Sequence, residues 1–130
     1  MPIHTPLASL EPAQRELLAQ LCEQVPGVSE KDALRFLVAR NFELPKAATF
    51  LQADLDWRKS YATSEVTQAS VPRALPSGQW RSLGTMQVDG VSVALLWVQL
   101  SLFWPEQFDV AEYLSLLVYF FERLGQVREL

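Results

Sequence analysis

The sequence predicts a mixed protein of class α+β / α/β, in which an N-terminal three-helix bundle precedes an incomplete mixed α/β domain made of a β-hairpin and a helix. Three observations carry this. Apolar residues recur at helical spacing from about residue 11 to residue 61. Asp89-Gly90 then divides two runs rich in strand-forming residues. A last run, Val110 to Leu124, returns to helical spacing.

The first helix is expected over residues 11–25, with Pro12 in its opening turn and Leu17, Leu18, Leu21, Cys22 and Val25 on one side. Pro26-Gly27 ends it. Ser29 and Asp32 have capping-box spacing and open the second helix, 30–40, which Asn41 closes from a left-handed position. Pro45 suits the first turn of the third helix, 45–61. That helix carries two apolar stripes. Leu44, Ala47, Ala48, Leu51 and Leu55 form one, and Phe50, Ala53 and Trp57 form another about 130° away. One stripe serves the bundle and the other is expected to cover a further element.

Residues 63–78, with Pro72, Pro76 and Gly78, read as a linker between a helical segment, 1–62, and a second region, 79–130. Trp80 to Val88 alternates as a half-buried strand does. Val91 to Val98 is apolar on both faces, which predicts an interior strand of a covered sheet. Asp109 with Glu112 is a second capping-box pair, and Gly125 is expected to stop the last helix. Its polar residues, Glu112, Ser115, Tyr119, Glu122 and Arg123, share a narrow stripe, which leaves an apolar arc of about 220°.

The joint between the second and third helices is the most specific feature. Leu34-Arg35-Phe36-Leu37-x-Ala39-Arg40-x-Phe42-x-Leu44-x-Lys46-Ala47, ending in Trp57-Arg58, resembles the N-terminal helical segment of CRAL-TRIO proteins. These are soluble carriers of phosphoinositides, retinoids and tocopherols. The resemblance implies that a mixed α/β domain follows, whose sheet floors a lipid pocket closed by a mobile helical gate. Leu83-Gly84 through Trp97 then looks like its first two strands, and Val110 to Leu124 like the next helix. The chain departs from the usual hairpin pattern of Asp, then Gly-Arg-Pro-Val, because it has Asp89-Gly90-Val91-Ser92-Val93. In this it is nearer to divergent members, including the non-catalytic domain of a vesicle-associated tyrosine phosphatase. Phosphoinositide-binding members present Ala-Arg-Lys-Phe near the headgroup. The corresponding Ala39-Arg40-Asn41-Phe42 makes Arg40 and Asn41 the candidate lipid-headgroup residues, with one cation replaced by an amide. The alternative role of Arg40 is a cation at a helix C-terminus.

Composition narrows the function classes. Hydrophobic residues at 49% and charged residues at 20% are ordinary for a globular protein. A net charge of −4 gives no basic footprint for nucleic acid. Cys22 is the only cysteine, which fits a reducing compartment, and its expected role is a small buried apolar residue. The start of the chain lacks a signal peptide, and the run from Val110 to Phe121 is too short and too interrupted for the roughly twenty residues of a membrane span. These features predict a cytoplasmic protein, peripheral on intracellular membranes where it meets lipid.

No enzyme, metal or cofactor signature is present. His4 is the only histidine, and the chain has no nucleophile elbow, no phosphate-cradling glycine loop and no Cys/His metal spacing. Phe103-Trp104-Pro105 is the one aromatic cluster in a loop, so Phe103 and Trp104 are candidates to face a ligand or membrane. The sequence reading is therefore a non-enzymatic lipid-binding or lipid-transfer module that lacks most of its hydrophobic pocket, with a phosphoinositide or other lipid as ligand. The alternatives are a protein-interaction or membrane-targeting module of a larger protein, or a truncated isoform without lipid binding.

Overall fold

A computed structural model of the protein describes residues 7–103, 106 and 109–127. Its elements are α1 (Pro12–Gln24), α2 (Glu30–Ala39), α3 (Leu44–Tyr61), β1 (Trp80–Val88), β2 (Val91–Val98) and α4 (Val110–Val127), with short 3-10 turns between them. The class is α+β: helices plus a two-stranded antiparallel sheet. The chain divides into two compact units, Met1–Ser60 and Tyr61–Leu130.

The first unit is built as its caps dictate. Pro12 opens α1, and the Gln14 side chain accepts from the Glu11 N–H at 3.0 Å. Ser29 Oγ accepts from the Asp32 N–H at 3.1 Å, which caps α2. The reciprocal half of the expected capping box is absent. Asp32 instead takes a hydrogen bond from the Ser29 hydroxyl, because its side chain is one methylene shorter than the usual glutamate. At the other end of α2, the Asn41 N–H donates to Val38 O and the Phe42 N–H to Leu37 O, a complete Schellman pattern with Asn41 at φ 52°. Phe42 is also left-handed, at φ 59°, and packs against the bundle core. Leu18, Leu21, Leu34, Leu37, Ala47 and Leu51 are buried at the centre, drawn from all three helices. On the second stripe of α3, Phe50 is 45% and Trp57 43% exposed.

In the second unit the hairpin turn is as the sequence requires, with Asp89 at φ 50° and Gly90 at φ 79°. Two expectations for the strands fail. β1 is not half-buried, because residues 81–87 are all exposed. A bulge between Ser82 and Gly84 shifts the alternation by one residue, so the apolar phase read along β1 does not stay on one face. β2 is not an interior strand either, since the sheet among the described residues has two strands only.

The core of this unit comes from elsewhere. Val71, Ala74, Leu116, Tyr119 and Phe120 are buried together, so the irregular 63–78 segment supplies two core residues. Trp80 and Leu96 join them from the root of the hairpin. Tyr119, expected in the polar stripe of α4, is buried, with the Arg123 guanidinium 4.3 Å from its ring centroid. Conversely Val110, Leu114 and Phe121 of the apolar arc are exposed. α4 also runs past Gly125, which a helix tolerates at about 1 kcal/mol relative to alanine. Asp109 caps it, accepting from the Glu112 N–H at 2.8 Å. The Glu112 carboxylate does not return the bond. It accepts from the N–H groups of Arg73 and Ala74 at 2.7 and 2.8 Å, and so pins the irregular segment to α4. No helix is long and apolar enough to cross a membrane among the described residues.

Candidate functional site

The left-handed joint at Asn41 and Phe42 turns the chain from α2 into α3, and it sets Arg40 beside the second stripe of α3. The Arg40 guanidinium carbon lies 4.0 Å from the centroid of the Phe50 ring. Phe50 is itself held by Phe36, whose ring centroid is 5.4 Å away. Arg40, Pro45, Lys46, Thr49, Phe50 and Ala53 line an open, shallow groove with mostly apolar walls. Arg40 and Lys46 are the two cations of its lining.

The two cations are not equivalent. Lys46 is paired with Glu43 across one turn. Arg40 has no carboxylate partner among the described residues. A guanidinium held over a ring keeps its in-plane N–H donors for an oxyanion, so Arg40 is the group here equipped to take one. The contact with Phe50 is worth about 0.5–1 kcal/mol at an exposed site. Thr49 adds no donor to the groove, because its hydroxyl bonds to Pro45 O at 3.0 Å.

A second depression, lined by Leu7, Leu10, Arg15, Leu18, Ala19 and Glu30, offers a contrast. There the Arg15 side chain already donates to the carbonyls of Leu10 and Ala8, both at 3.2 Å. Its cation serves as a backbone staple. Cys22, half-buried on α1, has its thiol pKa pushed up by burial and, secondarily, by the charge of Glu30, which makes it a poor nucleophile.

Asn41 is adjacent to Arg40 but its identity is used by the backbone, at the left-handed position. Phe103 belongs to the second unit, where it is 43% exposed and packs edge-on against Tyr113 with centroids 5.3 Å apart. Trp104 lies outside the described residues. Phe50 is the residue that sequence reasoning missed as a partner of Arg40. Its place in the second apolar stripe of α3 was visible, but the ten-residue separation and the left-handed turn between them hid the contact.

No known family profile matches the chain. Among curated proteins it is similar to "Protein real-time" of Anopheles gambiae, at 34% identity over an alignment that covers 65% of this chain and 16% of that protein. The chain thus spans about a sixth of the length of the relative it matches.

Proposed function

We propose that this chain is a non-enzymatic lipid-binding module of the CRAL-TRIO type, whose helical unit meets the anionic head of an amphiphile at Arg40. The observation that carries the reading is Arg40, without a carboxylate partner among the described residues, set over Phe50 in the lining of an apolar groove. An oxyanion on the guanidinium and a tail along the groove is the ligand chemistry that such a pairing suits. The resemblance of residues 34–58 to the CRAL-TRIO helical segment supports it independently. The groove is open, so it holds part of a lipid and does not enclose one. Stoichiometric extraction of lipid needs a closed pocket that buries most of the ligand. In this reading the chain works peripherally on the cytoplasmic face of intracellular membranes.

The test is co-sedimentation of the full chain with phosphatidylcholine vesicles, with and without a phosphoinositide. Binding to the anionic vesicles is expected, with a several-fold loss for Arg40→Glu and for Phe50→Ala. Arg40→Ala should change thermal stability little, which separates the site from the fold. Asn41→Lys, which restores the second cation, should raise affinity for the anionic vesicles. Equal binding to both vesicle types, or an Arg40→Glu chain that binds normally, overturns the proposal. A protein-interaction module is the second reading. The exposed apolar face of the hairpin, with Met86 and Trp97, favours it.

A further inference from the structure

Antiparallel strands joined by a two-residue turn start from a hydrogen-bonded pair, here Val88 and Val91. Counting from that pair, Val91, Val93 and Leu95 turn their backbone groups to β1, and Ser92, Ala94 and Leu96 turn theirs away from it. Those outward groups meet no other strand among the described residues.

The two edges of the sheet are not equivalent. The edge of β1 is broken by the bulge at Leu83, beside Gly84 at φ 92°. A bulge there is a device that ends strand pairing. The edge of β2 has no bulge, proline, glycine or charge along Val91–Val98. It is a regular, unguarded template for another strand.

We propose that β2 pairs antiparallel with β2 of a second copy of this chain, with Ala94 on the two-fold axis. The sequence of β2 is self-complementary in that register. Val91 comes beside Trp97 of the second copy and Val93 beside its Leu95, so all four odd-numbered residues gain an apolar neighbour on the open face. Centring the axis on Leu95 instead leaves Val91 unmatched. Charge also favours a like partner. The chain carries a net charge of −4 but β2 carries none, so two copies meet there without apposing like charges. Seven paired residues span about 24 Å, which at a sheet thickness of about 10 Å gives a contact on the order of 240 Å² per copy. That is well under the ~800 Å² per partner of a durable complex, so the dimer is weak and reversible.

The experiment is sedimentation velocity of the full chain across a concentration series, with far-UV circular dichroism on every variant. Wild type is expected to shift from monomer to dimer. Ser92→Lys, which places a charge on the open edge, should stay monomeric, and Thr85→Lys on the bulged edge should dimerise as wild type does. In a Cys22→Ser background, Ala94→Cys should form an intermolecular disulfide on oxidation, since opposed hydrogen-bonded residues have Cα atoms about 5.5 Å apart. Val91→Cys should not, because its two copies lie roughly 20 Å apart along the strands. A chain that stays monomeric throughout, a dimer untouched by Ser92→Lys, or cross-linking at residue 91 as ready as at 94 overturns the proposal.

Discussion

In the helical unit Leu21, Leu37 and Ala47 are fully buried, each on a different helix, whereas the hairpin of the second unit leaves Met86 46% and Trp97 53% exposed. Both stretches are rich in apolar residues. The difference lies in what stands opposite them. One apolar stripe each of α1, α2 and α3 meets the others within the same unit, so burial there is mutual. Among the described residues, the hairpin joins the core of its unit at its root, through Trp80 and Leu96. A two-stranded ribbon without a covering layer is marginal by itself. The comparison teaches that periodicity identifies which residues share a face, but not whether a partner for that face exists.

The largest expected effect tests whether the two cores are equally well made. Leu37→Ala in the bundle and Leu116→Ala in the second unit each remove a fully buried leucine, and each should cost about 2–5 kcal/mol in chemical denaturation. If the units melt independently, Leu37→Ala moves the transition reported by Trp57, and Leu116→Ala moves the one reported by Trp80.

A smaller effect of opposite sign is expected at Gln79. This side chain is fully buried, and neither its amide nitrogen nor its amide oxygen has a hydrogen-bond partner among the described residues. A buried amide left unpaired costs about 1–3 kcal/mol, so Gln79→Leu should raise the melting temperature of the second unit. A drop would show that the amide is paired in solution. Smaller again is Glu112→Ala. It removes the acceptor for two backbone N–H groups and should cost about 1–2 kcal/mol, with faster amide exchange at Arg73 and Ala74.

Much of the fold was legible in the sequence because its signals are local. Pro12, Ser29, Asn41 and Pro45 mark helix ends through the conformations and bonds of a few neighbouring atoms. Asp89-Gly90 does the same for the hairpin. What was illegible depends on partners distant in sequence. The bulge at Leu83 is defined only against β2, and it undoes the alternation that the isolated strand suggests. Glu112 has capping-box spacing, yet its carboxylate goes to Arg73 and Ala74, nearly forty residues back. Val71 and Ala74 lie in an aperiodic segment, so no pattern announces their burial. At the candidate site, Arg40 and Asn41 were readable, but the ring that holds Arg40 was not.

The helical unit has its own buried core, and the hairpin of the second unit has no third strand among the described residues. Hydrogen–deuterium exchange of the full chain, read by mass spectrometry at a dilution that keeps it monomeric, measures that contrast directly. Amides of α1, α2 and α3 around Leu21, Leu37 and Leu51 should be protected most strongly. Those of residues 84–95 should exchange within the earliest time points, even though the strands are paired. Protection of the hairpin equal to or greater than that of the bundle would contradict the account.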